Sequence, residues 1–139
     1  FAADLFITMF YCRFLPQTRV LQYANAGQNP PLLLRAAHAD CTQLDAEGLV
    51  LGVKRGVDFE ERSLELAPGD RLMLYTDGIT ETQNRQGEFY GLERLCNAFR
   101  RHRALSPEAL IKATLDDVRA FRGAAPATDD VAMVVMEAR

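Results

Sequence analysis

Three cysteines, Cys12, Cys41 and Cys96, are spread through 139 residues with no close pair among them. An odd, widely spaced set gives no disulfide framework and no paired zinc spacing, so a reducing, cytoplasmic setting is the expectation. Long apolar runs are missing too. No stretch approaches the ~20 residues of a membrane span, and nothing reads as a secretory leader. An excess of positive charge is absent: the formal net charge is -3, and the one dense basic cluster is Arg100-Arg101-His102-Arg103. That cluster falls at the end of an expected helix, where cations complement the dipole. Nucleic acid is therefore not an expected partner. The sequence holds no Walker loop, internal repeat or low-complexity tract. Its two histidines, His38 and His102, have no partner that makes a triad and are expected at the surface.

What remains is a composition that folds. The chain is 48% hydrophobic and 25% charged, which argues against disorder. Residues 1–139 are expected to form a single domain around one core. The chain opens at Phe1 and turns apolar almost at once, and a piece of a longer protein is the expectation.

Aromatic and β-branched residues from Phe6 to Phe14 predict a strand, Pro16 to Arg19 a turn, and Val20 to Ala26 the partner strand. Asn25-Ala26-Gly27-Gln28-Asn29-Pro30-Pro31 breaks regular structure. Leu32 to Leu34 resumes a strand, and Cys41 to Leu44 forms a short one. Glu47 to Gly56 reads as irregular. Phe59 to Leu66 alternates towards its end, and Pro68-Gly69-Asp70 turns into an apolar run, Leu72 to Tyr75. Glu81 to Gly91 is a polar loop.

Two helices follow. Leu92, Leu95, Cys96 and Phe99 share one face. Ser106-Pro107-Glu108 is a strong helix start and Gly123 a natural stop, with Leu110, Ile111, Thr114, Leu115, Val118 and Phe121 as the stripe between them. Thr128-Asp129-Asp130 leads into Val131 to Met136, an apolar run predicted as a central strand covered on both faces. Strands, then helices, then one strand predict an α+β fold rather than alternating βαβ units.

Chemistry concentrates at Thr76-Asp77-Gly78. A carboxylate at the mouth of a buried strand suits a hard cation. The same dipeptide is also an ordinary hairpin turn. If the strands before Asp77 and after Asp129-Asp130 are antiparallel neighbours, the three carboxylates converge at one sheet end. A divalent cation would then remove their mutual repulsion. The alternative is a turn residue and a solvated loop pair, and the spacing leaves both open. Other phosphate chemistries fail on the text. A cysteine-nucleophile phosphatase sets an Arg at a fixed step after its Cys, where this chain has His102, Glu47 and Thr18. An aspartyl-phosphate enzyme needs an Asp-x-Asp pair, and Thr76-Asp77-Gly78 offers one Asp.

Tyr75-Thr76-Asp77-Gly78-Ile79-Thr80-Glu81 resembles the Y-T-D-G-[ILV]-T-E motif of bacterial PP2C-type (PPM) serine/threonine phosphatases of the SpoIIE and RsbU kind. Tyr23 through Pro31 resembles that family's Y-A-N-A-G-H-N-P-P loop. Leu51-Gly52-Val53 resembles its L-G-V turn, Pro68-Gly69-Asp70 its P-G-D turn, and Asn84 through Gly91 its N-x-x-G-E-x-F-G loop. Asp129-Asp130-Val131 resembles its terminal D-D-[IMV]-T. The match covers nearly the whole chain, in order.

The resemblance implies an α/β/β/α sandwich of antiparallel sheets flanked by helices, here N-terminally incomplete. It implies a two-metal site for Mn²⁺ or Mg²⁺, with Asp77 and Asp129 as catalytic metal ligands and Asp130 as a weaker third. It implies hydrolysis of phosphoserine on a regulatory protein such as an anti-sigma-factor antagonist, and an upstream sensor or receiver domain. Gln28 stands where the family has His, and Ala132 where it has Thr; both bear on loop geometry. The early G-G-D-x-x-D and D-V-x-G-x-G motifs are absent, and Asp4 cannot replace them. The chain alone is therefore expected to bind metal poorly, to be inactive and to self-associate, as a homodimer, through an exposed edge. The rival reading is a non-catalytic interaction or dimerisation module with a degenerate phosphatase fold.

Overall fold

In the computed structural model, which describes residues 5–127 and 129–139, the alternation read from the sequence becomes a hairpin. Strand β1 (Met9–Leu15) pairs antiparallel with β2 (Val20–Ala26), and β2 pairs with β5 (Arg62–Glu65). A second sheet runs β4 (Cys41–Gln43), β3 (Leu32–Leu34), β6 (Arg71–Tyr75), β7 (Met133–Glu137), also antiparallel throughout. Asp4 and Thr128 lie outside the described residues.

Side chains alternate across each strand, so the four-stranded sheet separates two cores. Leu33 and Leu72 join Leu21, Tyr23, Leu44 and Leu66 between the sheets. Leu32, Leu34, Met73 and Tyr75 face the helices, against Leu95, Phe99, Leu110 and Val118. Those last residues belong to α2 (Gly91–Arg101) and α3 (Pro107–Arg122). Start and stop signals act as expected: the Ser106 hydroxyl accepts from the Ala109 N–H at 3.2 Å, and Gly123 ends α3 at φ +60°. The α+β expectation holds, as two antiparallel sheets with helices packed on the larger one.

Four expectations change. The run Val131 to Met136 is not a strand covered on both faces. Among the described residues β7 is the edge of its sheet, with Val134 54% and Met136 37% exposed. Thr76-Asp77-Gly78 is not a hairpin turn; Asp77–Thr80 forms a one-turn helix, α1, because Ile79 drops into the helix-side core. Cys41 and Cys96 form a disulfide joining β4 to α2, while Cys12 stays free. His102 is half-buried, its Nε2 lying 2.7 Å from Asp117 Oδ2 across the α2–α3 connection. The basic cluster lies at the end of α2, with Arg100 and Arg101 in its last turn and Arg103 donating to the Arg100 carbonyl, while Arg100 also donates to the Ala39 carbonyl and Arg101 pairs with Asp117.

The entry to β6 is pinned hard. Asp70 is almost wholly buried and accepts from the backbone N–H groups of Ala36 and Ala67, each at 2.9 Å, and from Arg35 at 2.7 Å. The next residue, Arg71, pairs with Glu137 on β7 at 2.6 Å. These contacts fix the strand whose far end carries Asp77.

Candidate metal centre

Strand β6 leaves the sheet at Tyr75, opposite Met133, the first residue of β7. The pairing continues beyond the strands. Thr76 N–H donates to the Ala132 carbonyl at 3.2 Å, and Ala132 N–H donates to the Thr76 hydroxyl at 3.0 Å. Asp77 and the Asp129-Asp130 loop are thereby laid side by side at one sheet end, as the antiparallel condition requires.

Gly78 makes this closeness admissible. A Cβ there would overlap the Asp130 carbonyl oxygen. The glycine is helical, so it is needed for lack of bulk rather than for a left-handed backbone. Gly78→Ala is therefore expected to push the 129–131 loop away and to destabilise the fold by about 2 kcal/mol, a typical overpacking cost. A thermal melt, with amide shifts of Thr76 and Ala132, reads both effects.

All three carboxylate residues are exposed at the mouth. Asp77 Oδ1 accepts from the Asn29 side-chain amide at 2.6 Å. Asp129 Oδ1 accepts from the Asp130 N–H at 2.7 Å. Asp129 also lines a small cavity of about 40 Å³ with Gly78, Thr82, Gln83 and Arg122. Asp130 meets the site through its carbonyl, beside Gly78 and the Thr76 hydroxyl. The two loops converge, yet among the described residues no three acidic, His or Cys side chains gather closely enough to hold a metal. The oxygen chemistry of Asp77 and Asp129 fits Mg²⁺ or Mn²⁺, and the Asn29 bond leaves the second Asp77 oxygen for a cation. Two carboxylates alone would supply only part of a coordination shell.

Asn29 is the residue that spacing could not reveal. It lies 48 positions from Asp77, and only its place in the Asn25 to Pro31 loop marked it. That loop is internally tied: Asn25 Nδ2 donates to the Gln28 carbonyl at 2.8 Å, and Gln28 N–H donates to Asn25 Oδ1 at 2.7 Å. Gln28 accepts from Thr8 and reaches the Tyr75 carbonyl through its amide.

The family model described as Stage II sporulation protein E (SpoIIE) matches residues 1–139. The phosphoserine phosphatase RsbU of Bacillus subtilis is 30% identical over 116 residues, which is 84% of this chain and 34% of that protein. The chain thus spans about a third of the length of that relative. Protein IcfG of Synechocystis is 32% identical over 91 residues, covering 66% of this chain and 14% of its own. Among solved structures, the RsbU and RsbW domains of Rv1364c from Mycobacterium tuberculosis superpose with a TM-score of 0.78 at 27% identity, over 94% of this chain and 35% of that one. The PP2C phosphatase domain of SpoIIE from Bacillus subtilis superposes at 0.74 and 20% identity, over 94% and 37%, which is a likeness of fold. The chain shares the fold of the PP2C phosphatase domain of SpoIIE, and, matched along its whole length by that family's model, it belongs to the SpoIIE family.

Proposed function

We propose that the chain carries part of the catalytic centre of a metal-dependent protein serine/threonine phosphatase. The observation that supports it most is the β6–β7 pairing, which continues through Thr76 and Ala132 and sets Asp77 beside the Asp129 loop. Asp77 and Asp129 would hold Mn²⁺ or Mg²⁺, with Asp130 a lesser contributor. When bound, the metal pair supplies an activated water for attack on phosphorus and neutralises charge on the phosphoryl oxygens. The chain's own part is to hold two carboxylates at the sheet end with their oxygens facing solvent. The substrate class in this reading is phosphoserine on a regulatory protein such as an anti-sigma-factor antagonist. It draws on the RsbU relative's description as a phosphoserine phosphatase. An upstream sensor or receiver domain belongs to the same reading; a solved relative retains a fragment of a regulatory domain. So does a cytoplasmic location. Mn²⁺-dependent dephosphorylation of a phosphoserine peptide by the full-length protein, and its loss in Asp77→Asn and Asp129→Asn, is the test.

A second reading, a non-catalytic dimerisation module, is favoured by the apolar side of the sandwich. Met9, Tyr11, Val134 and Met136 are exposed, on the strands β1 and β7 that edge their sheets among the described residues. Unpaired edges with apolar side chains invite a second copy. For the isolated chain the two readings share one expectation: it sediments as a dimer or larger and turns over no phosphoserine peptide. A stable monomer in sedimentation velocity sinks the association, and turnover with Mn²⁺ sinks the inactivity.

A further inference from the structure

We infer that Asn29 is a positioning residue for the Asp77 carboxylate, and that the glycine-packed loop 47–52 holds Asn29 in place. The inference rests on the reading of Asp77 as a metal ligand. Asp77 sits at the start of a single helical turn and is exposed. Its own element does little to restrain a side chain with free rotamers. Among the described residues, the side-chain donor to it is the Asn29 amide, at 2.6 Å on Oδ1. An amide donor leaves the charge intact, because it neither neutralises nor protonates the carboxylate. It fixes which oxygen stays free for a cation, as partners behind metal-bound carboxylates do.

The amide is itself held from behind. Asn29 follows the Asn25–Gln28 turn, closed by two side-chain hydrogen bonds. That turn cannot retreat from the neighbouring loop. A Cβ on Gly48 would overlap the Asn25 carbonyl, and a Cβ on Gly27 would overlap Val50. Loop 47–52 is tied in turn at both ends: Glu47 N–H donates to Glu60 Oε2 at 2.7 Å, and Leu51 exchanges backbone hydrogen bonds with Ile7. The chain of contacts runs from the end of the three-stranded sheet, through two glycine contacts, to one oxygen of Asp77. The second loop thereby gains a role that its Leu51-Gly52-Val53 resemblance does not supply.

The test is Mn²⁺ binding by the full-length protein, read by electron paramagnetic resonance of free Mn²⁺ with the protein in excess. The proteins compared are full-length, with the chain unaltered or carrying Asn29→Ala or Asn29→Ser. Asn29→Ala is expected to weaken Mn²⁺ about tenfold, at the lower end of outer-partner losses. Its metal-free thermal midpoint is expected to hold, since the bond is at the surface. Asn29→Ser keeps a shorter donor and should recover part of the loss. Equal Mn²⁺ affinity in the unaltered chain and Asn29→Ala overturns the inference. So does a lowered metal-free midpoint with an unchanged Mn²⁺-induced rise, which would make Asn29 structural only. No Mn²⁺ binding by the unaltered full-length protein sinks the metal reading itself, and this inference falls with it.

Discussion

Asp70→Ala is expected to lower stability by about 3 kcal/mol, which combines the loss of a charged acceptor with the orphaning of two N–H groups. For a chain of this size that corresponds to roughly 10 °C in thermal midpoint. Asp70 is only 2% exposed. Its carboxylate satisfies Ala36, Ala67 and Arg35 together. Alanine supplies no acceptor, and water has little access to replace one. Arg35 is partly exposed and can turn to solvent, so the backbone donors, not the ion pair, carry most of the loss. Asp70→Asn keeps the volume and one acceptor, and should fall between the two. The pH dependence has a definite sign. Burial pushes the Asp70 carboxyl up, but the Ala36 N–H, Arg35 and the Ala67 N–H outweigh it and leave it below the ordinary carboxylate range. A depressed folded pKa means that the stabilisation is complete above the unfolded value and is lost as pH falls through the folded one. Melts from neutral pH down to about pH 3 should show a steeper acid limb for the unaltered chain than for Asp70→Asn. Equal limbs would place the acid sensitivity elsewhere.

Local pattern reached the elements but not their neighbours. Val20–Ala26 was legible residue for residue, because Leu21 and Tyr23 alternate with Gln22 and Ala24. The end of α3 was legible for the same kind of reason: Gly123 can take a left-handed backbone at little cost. An apolar run, by contrast, does not say how many layers cover it. Val131 to Met136 reads as doubly buried, yet one face meets the helices through Met133 and Val135 while Val134 and Met136 are exposed. Asp77-Gly78 reads as an ordinary turn, and the fit of Ile79 into a core built by distant strands makes it the start of a helical turn instead. Cys41 with Cys96, His102 with Asp117, and Asn29 with Asp77 are all pairs made by packing, and no spacing rule forecasts them. The site shows the same division. Asp77 and Asp129 could be named from the text as candidate ligands, whereas the Asn29–Asp77 contact depends on two loops meeting.

Asp77→Asn is expected to cut Mn²⁺-dependent dephosphorylation by the full-length protein more than ~100-fold, beyond the range for removing an outer partner. Its thermal midpoint should move by no more than about 2 °C, as for a surface substitution. The two halves of that expectation come from the same geometry. Asparagine keeps the size of aspartate and an Oδ1 able to accept from the Asn29 amide, so the contact at 2.6 Å survives. Asp77 is exposed and beside an acidic loop, so removing its charge relieves repulsion at least as much as it removes support. What is lost is the anionic oxygen that a hard cation requires. Asp129→Asn should behave alike, because its value also lies in the carboxylate at the sheet end. Asp130→Asn should lose far less, since Asp130 meets Gly78 and Thr76 through a backbone carbonyl that the substitution leaves intact. Rates measured across a Mn²⁺ titration separate the three, because raising the metal concentration cannot restore a missing ligand. Asp77→Asn that keeps its turnover removes the carboxylate from the chemistry and leaves Asp77 as the first residue of a helical turn.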